Sequence, residues 1–286
     1  MITYFQAIIL GLIQGATELF PISSLGHSVI LPHLVGWAIN QQDPFFLTFL
    51  VATHLATAIV LVGFFWKDWV RIVSGIGRTF KEREINQTNF YGQLGWLLIV
   101  GTIPAALIGL LFEDSLRAAF ASAQSAAFFL ILNGLLLYGA EKLRVKAPKS
   151  TNDGSSDQRI AKLSWGKSLG IGAAQALALI PGFSRSGATM AGGLVAGFSN
   201  EDAARFSFLL ATPVIGAAAL LKIPELFQPQ NHSLVGPAIV GALCAGVTAW
   251  LAVRFLVKYF ETNRLTPFAL YCVVAGVIFS LILLVR

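Results

Sequence analysis

Residues 265–285 read Leu-Thr-Pro-Phe-Ala-Leu-Tyr-Cys-Val-Val-Ala-Gly-Val-Ile-Phe-Ser-Leu-Ile-Leu-Leu-Val, 21 positions without an Asp, Glu, Lys or Arg. Coiled into a helix, such a run spans a hydrocarbon core of about 30 Å. Four more runs have the same character: 45–66 (22 residues), 94–112 (19), 118–140 (23) and 233–253 (21). A sixth, 206–221, has only 16 residues, but Arg205 and Lys222 flank it with stems that reach the interfaces. None of these runs alternates apolar and polar residues as a barrel strand does, so helices are the only backbone that lipid permits here. The chain has 56% hydrophobic and 12% charged residues, against roughly a quarter charged in soluble domains. Its net charge of +6 lies in the loops between runs, which argues against nucleic acid as a partner. Cys244 and Cys272 both fall inside runs and read as small packed side chains. The opening Met-Ile-Thr-Tyr-Phe-Gln has no basic region, so no cleaved signal peptide is expected.

Two shorter polar stretches repeat. Residues 14–28 read Gln-Gly-Ala-Thr-Glu-Leu-Phe-Pro-Ile-Ser-Ser-Leu-Gly-His-Ser, and residues 175–189 read Gln-Ala-Leu-Ala-Leu-Ile-Pro-Gly-Phe-Ser-Arg-Ser-Gly-Ala-Thr. At an offset of 161, Gln14 matches Gln175, Ser23 matches Ser184 and Gly26 matches Gly187. Each motif is followed by an apolar run of 13 residues, 25–37 and 186–198, which suits a re-entrant segment better than a crossing. The expected fold is therefore an all-α polytopic membrane protein of two repeats, each a re-entrant helical hairpin followed by three transmembrane helices. Repeat 1 covers about 1–141 with its hairpin at 4–37; repeat 2 covers about 168–286 with its hairpin at 168–198. The polar, Gly- and Ser-rich segment 142–167 links them within one membrane domain. Three crossings per repeat invert the second relative to the first. That topology gathers 16 of the 20 Lys and Arg (67–93, 142–167, Arg205 and 254–264) on one face, leaving Arg117, Lys222 and Arg286 on the other. The basic face is then cytoplasmic, with the termini and the mouth of the first hairpin outside.

Glu18 is the only charged residue before position 43, and Arg185 the only one between 168 and 200. Ionisable groups at membrane depth are costly and point to function; the plain alternative is a buried ion pair that joins the hairpins. In the first hairpin, Ser24 beside His27 supplies the parts of an activated nucleophile with an acid/base, and Ser23 or Ser24 starts the helix that holds them. In the second, Ser184, Arg185, Ser186, Gly187 and Thr189 open a short helix whose N–H groups and guanidinium suit phosphate oxygens, with Ser23 facing them. Gln14 and Glu18, four apart, share a helix face and offer oxygens to a hard cation, Mg²⁺ or Ca²⁺, alongside a diphosphate. Glu18 is equally placed to orient His27. His33 and His232 read as interface residues; His54, a rare histidine inside an apolar run, reads as a packing residue ahead of a catalytic one. The small residues at 217–219 and the Gly236/Gly241 spacing serve packing within the chain or form a homodimer face.

These motifs, Gln14-x-x-x-Glu18 through Pro21-x-Ser-Ser-x-Gly-His27 and Pro181-Gly-x-Ser-Arg-Ser-x-x-Thr189, resemble the undecaprenyl-diphosphatase family, linked to bacitracin resistance, over essentially the whole chain. The family pattern allows Glu or Gln at position 14, and Gln stands here, so only one carboxylate is at hand. The resemblance implies a hydrolase of the bacterial inner membrane that removes the terminal phosphate of a C55 polyprenyl diphosphate. That step recycles the carrier for peptidoglycan synthesis and so supports cell wall and cell shape. It implies Ser24 as nucleophile or water-positioning group, His27 as acid/base, Glu18 as a further catalytic group, Arg185, Ser184, Ser186 and Thr189 on the diphosphate, and Glu18 with Gln14 on the cation. It also implies a site open to the periplasmic face and walls that hold the lipid tail among membrane lipids. The rival reading is a transporter or flippase of a polyprenyl-phosphate lipid, since inverted repeats with broken helices also build carriers.

Overall fold

Among the described residues, six helices are long and apolar enough to cross a membrane: Phe46–Phe64, Phe90–Phe112, Ala123–Arg144, Asn200–Leu226, His232–Phe260 and Thr266–Val285. A computed structural model describes residues 2–41, 44–85, 87–120, 122–146, 154–228 and 231–285. The centre of the expected linker at 147–153, the side chain of Arg117, and Arg286 lie outside the described residues. In chain order the helices are α1 (Tyr4–Leu19), α2 (Ser24–Leu34), α3 (Pro44–Phe64), α4 (Trp66–Glu82), α5 (Phe90–Phe120), α6 (Ala123–Lys146), α7 (Ser156–Ala161), α8 (Trp165–Gln175), α9 (Arg185–Val195), α10 (Asn200–Leu226), α11 (His232–Phe260) and α12 (Thr266–Val285). No strand occurs among the described residues.

Two details differ from the reading of the sequence. The basic stretch 67–93, taken as a connection, contains α4, whose Ile72, Gly75 and Thr79 are buried while Lys67, Arg71 and Arg78 are exposed. The 16-residue run 206–221 is the middle of the 27-residue α10, which continues through Pro213. Ser199 caps that helix by accepting from the Asp202 amide at 3.0 Å, and Glu201 and Asp202 lie in its first turn, where negative charge is favoured.

The short helices pack on spans of the other half of the chain. α1 lies along α11, and α8 lies along α5. Both approaches are closer than a side chain allows: a Cβ at Gly11 would overlap the Gly241 carbonyl, and one at Gly172, 161 positions on, would overlap the Gly101 carbonyl. α6 packs along α12 and α3 against α10. Gly236 and Gly241 are taken up within the chain, against Tyr4 and against Phe49 and Ala7. On one face of the bundle, Arg205 holds Asp157 of α7 through Nε at 2.6 Å and Nη2 at 3.0 Å, and Asp68 of α4 at 2.9 Å. Arg159 holds Asp202 there at 2.8 and 2.9 Å. On another face Thr48 donates to Glu225 at 3.2 Å.

Candidate active site

α1 begins with a capping box, Thr3 accepting from the Gln6 amide at 3.2 Å and donating its own amide to Gln6 Oε1 at 2.9 Å. The helix ends at Leu19, having buried Gln14 and Glu18. Residues 20–23 turn the chain, and Ser23 adopts φ +67°, a left-handed conformation unusual for a side chain that is not glycine. Ser23 then caps α2, its Oγ accepting from the Gly26 amide at 3.1 Å. The second hairpin repeats the device: α8 gives way to a 3₁₀ turn at Ala176–Leu179, Gly182 takes φ +106°, and Ser184 caps α9 by accepting from the Gly187 amide at 3.1 Å.

The two turns meet. A Cβ on Gly26 would lie 3.0 Å from the Gly182 Cα, so only glycine lets the backbones come this close. Ser186 donates its hydroxyl toward the carbonyls of Glu18 at 3.2 Å and Phe20 at 3.1 Å. Asn133, buried in α6, spans the junction: its Nδ2 donates to the Pro21 carbonyl at 3.0 Å and its Oδ1 accepts from the Ser184 amide at 3.1 Å. Asn133 was not among the expected site residues, and its one signal in the sequence is that it is the sole Asn within the run 118–140.

Glu18 is the hub of the meeting point. Its Oε1 accepts from Arg185 Nε at 3.1 Å and Nη2 at 3.0 Å. Its Oε2 accepts from Ser24 Oγ at 2.6 Å and Gln14 Nε2 at 2.9 Å, and His54 Nε2 stands 3.2 Å away. His54 Nδ1 faces the Leu50 carbonyl at 2.7 Å; a carbonyl only accepts, so that nitrogen carries hydrogen and Nε2 is fixed toward Glu18. Glu18, Ser24, His54, Gln175, Ser184 and Arg185 line one cavity of about 220 Å³, whose other walls, among them Leu47, Leu50, Leu179, Phe183 and Ile215, are apolar. A larger hollow of about 600 Å³ between α6, α8 and α9 has Lys167 as its one charged lining residue, and that ammonium already donates to the Ala196 carbonyl at 2.8 Å.

The expected residues therefore divide. Glu18, Ser24, Ser184 and Arg185 reach the cavity. Ser23, Ser186, Gly187 and Thr189 do not line it; Thr189 donates back to the Arg185 carbonyl at 2.8 Å, as helical hydroxyls often do. His27 is not brought to Ser24. Its Nδ1 lies 2.7 Å from the Ser23 carbonyl, its Nε2 2.8 Å from the Tyr271 hydroxyl, and its ring stacks on Tyr271, away from the cavity. The packing role expected for His54 is corrected: the fold of α3 against the hairpins puts this imidazole beside Glu18. The expected ion pair of Glu18 with Arg185 is present, but within a larger cluster than a pair needs.

For a cation, the fit is partial. No group of three or more His, Cys, Asp or Glu able to hold a metal occurs among the described residues. Gln14 Oε1 is buried without a partner and, with the Glu18 carboxylate, makes two oxygen-bearing groups for a cation. That set suits an ion that takes most of its ligands from phosphate and water.

Serine held by a carboxylate, a guanidinium at the same cavity and apolar walls together suit attack on phosphorus in a lipid headgroup. The comparisons agree with that chemistry. A family model described as bacitracin resistance protein BacA matches residues 7–278. An undecaprenyl-diphosphatase of Mycolicibacterium paratuberculosis is 47% identical, over 96% of this chain and 95% of the relative. Undecaprenyl-diphosphatase 2 of Chromobacterium violaceum is 44% identical over 96% of both chains, and an undecaprenyl-diphosphatase of Granulibacter bethesdensis 44% identical over 95% and 94%. This multi-pass membrane chain belongs to the bacitracin resistance protein BacA family.

Proposed function

We propose that the chain hydrolyses undecaprenyl diphosphate to undecaprenyl phosphate and phosphate, and that the reaction takes place in the cavity of Glu18, Ser24, His54 and Arg185. The observation that carries this assignment is the 2.6 Å hydrogen bond from Ser24 Oγ to Glu18 Oε2 beside an arginine in a pocket with apolar walls. Glu18 takes the Ser24 proton as Oγ attacks the terminal phosphorus; the bond from phosphorus to the bridging oxygen breaks, and undecaprenyl phosphate leaves. Water then attacks the serine-bound phosphorus and gives a proton to His54, the bond from phosphorus to Oγ breaks as Glu18 returns its proton to Oγ, and phosphate leaves. Arg185 shifts part of its fork from Glu18 to the non-bridging oxygens, where it offsets charge that grows in the transition state. His54 Nδ1 faces a carbonyl and Nε2 the Glu18 carboxylate, so both nitrogens carry hydrogen in this step, and Nε2 gives its proton to the departing oxygen. His27 acts at one remove, fixing the Ser23 carbonyl and with it the start of α2. A Mg²⁺ or Ca²⁺ ion arriving with the diphosphate would be held by Glu18 and Gln14 and would supply further charge neutralisation.

The cavity takes the headgroup, and the prenyl chain extends past Leu47, Phe183 and Ile215 toward lipid. The fold supports two inverted repeats with re-entrant hairpins: α1–α2 and α8–α9 fall outside the six long apolar helices, and α1 on α11 answers α8 on α5. The contacts of Arg205 with Asp157 and Asp68 join three of the basic segments, which supports a cytoplasmic basic face in the inner membrane and a site that opens outward. The transporter reading gives no task to a serine bonded to a carboxylate. The test is phosphate release from a C55 prenyl diphosphate by the purified protein: wild type releases it, Ser24→Ala loses at least about 1,000-fold in kcat/KM, and Arg185→Lys at least about 100-fold. Release by Ser24→Ala at the wild-type rate removes the nucleophile, and a well-folded but inactive wild type removes the enzyme.

A further inference from the structure

The repeat places Gln175 where Gln14 stands in the first hairpin. The two glutamines meet different fates. Gln14 has a carboxylate four residues on and donates to it at 2.9 Å. Four residues after Gln175 stands Leu179, and the chain leaves the α-helix at Gln175 for a 3₁₀ turn. The Gln175 side chain is consequently left alone. The residue is 2% exposed, and both Oε1 and Nε2 are buried without a hydrogen-bond partner. Such an amide weakens the fold, because its polar atoms have left water and gained nothing.

Gln175 also lines the same cavity as Glu18, Ser24, His54, Ser184 and Arg185. Neighbouring donors there already have partners. Arg185 gives Nε and Nη2 to Glu18 and reaches the Ser207 carbonyl with Nη1 at 3.4 Å. Ser24 donates to Glu18, and Ser184 Oγ is shared between the Gly187 amide and Ser186. The unpaired amide thus belongs to a residue of a cavity walled otherwise largely by apolar side chains, where a bound headgroup can supply the missing partner.

We propose that Gln175 is a ligand of the diphosphate headgroup, its Nε2 donating to a non-bridging phosphate oxygen while Arg185 is still shared with Glu18. This inference rests on the phosphatase reading of the cavity. Gln175 moves no proton; it binds and orients the headgroup for Ser24, and the cost of its unpaired amide to the empty protein is recovered on binding.

The test compares wild type with Gln175→Met, which keeps bulk and removes both polar atoms, and Gln175→Glu, which keeps shape and presents only acceptors to phosphate. Each full-length protein is purified in detergent. Its melting midpoint is measured alone and with a C15 prenyl diphosphate, and kcat and KM are measured for phosphate release. Gln175→Met is expected to melt at or above the wild-type midpoint, to lose most of the ligand-induced rise, and to raise KM about 10- to 100-fold, the worth of one hydrogen bond to a charged group. Gln175→Glu is expected to bind less well than Gln175→Met. A Gln175→Met midpoint below wild type shows an amide that supports the fold instead, and overturns the proposal. So does a KM and ligand-induced rise within twofold of wild type. If wild type releases no phosphate, the phosphatase reading fails separately, and the ligand-induced rise alone still decides whether Gln175 holds the headgroup.

Discussion

Replacing Asn133 by leucine removes a side chain that bridges the backbones of both hairpin turns. Asn133 is fully buried in α6, its Nδ2 3.0 Å from the Pro21 carbonyl and its Oδ1 3.1 Å from the Ser184 amide. Leucine fills the same space, leaves the Ser184 amide buried without its partner, and leaves the Pro21 carbonyl with only the long contact from Cys272 Sγ. Each such group costs about 1–3 kcal/mol, so the fold loses about 2–6 kcal/mol. The lower half of that range applies if Cys272 Sγ, already 3.7 Å from the Pro21 carbonyl, closes on it. At about 2 °C per kcal/mol for a chain of this size, the melting midpoint falls by about 4–12 °C. Activity falls as well, although Asn133 does not line the cavity, because Ser184 and Arg185 lose their register against Ser24; an ångström of displacement is worth about 100-fold in rate. The assay is a thermal melt in detergent followed by phosphate release well below both midpoints. A midpoint within about 1 °C of wild type, with wild-type kcat, refutes the claim that this asparagine sets the junction of the turns.

Other substitutions separate positioning from chemistry. His27→Ala should lower the melting midpoint and kcat together, because it frees the Ser23 carbonyl from its 2.7 Å contact, whereas Ser24→Ala should lower kcat alone; the reverse pattern, measured by paired melts and rates, makes His27 the chemical partner. Asp157→Ala leaves Arg205 without its 2.6 Å partner and should cost about 3 kcal/mol of stability with little change in kcat at low temperature, read from melts and from rates at 10–20 °C below the midpoint. Chelation with EDTA should stop phosphate release, and added Mg²⁺ or Ca²⁺ should restore it; full activity in EDTA removes the cation from the account. For topology, a cysteine at Val35 should react with a membrane-impermeant maleimide in intact cells and one at Arg83 should not, and the opposite labelling inverts the orientation.

What the sequence disclosed and what it hid follow from the range of the forces involved. The six spans are one-dimensional facts, since runs such as 265–285 have no charge to keep them out of lipid. The closeness of Glu18 to Arg185 was also within reach, because lone charges in matching motifs have few other partners. Ser24 and His27 take different partners for a local reason. Ser24 is the first residue of α2 and is drawn to Glu18, while the His27 ring turns back on the Ser23 carbonyl and out to Tyr271, 244 positions away. Sharing a helix face says nothing of which neighbour each residue meets. The places of His54, Asn133 and Gln175 depend on where α3, α6 and α8 lie against the turns, and no periodicity records that. Ser186 and Thr189 were read as ligands because hydroxyls near an arginine suggest phosphate, but nearby carbonyls claim both.

The most direct test of the central claim is a kinetic cycle on Ser24 and Glu18: kcat/KM for phosphate release from a C55 prenyl diphosphate by wild type, Ser24→Ala, Glu18→Gln and the double variant. A base and nucleophile that act as one unit lose nearly everything when either is removed, so each single variant should fall by at least about 1,000-fold and the double variant should be no worse than the poorer single one. Losses that multiply in the double variant, or a Ser24→Ala protein that turns over at the wild-type rate, would show that the two groups do not share the step and would contradict the mechanism.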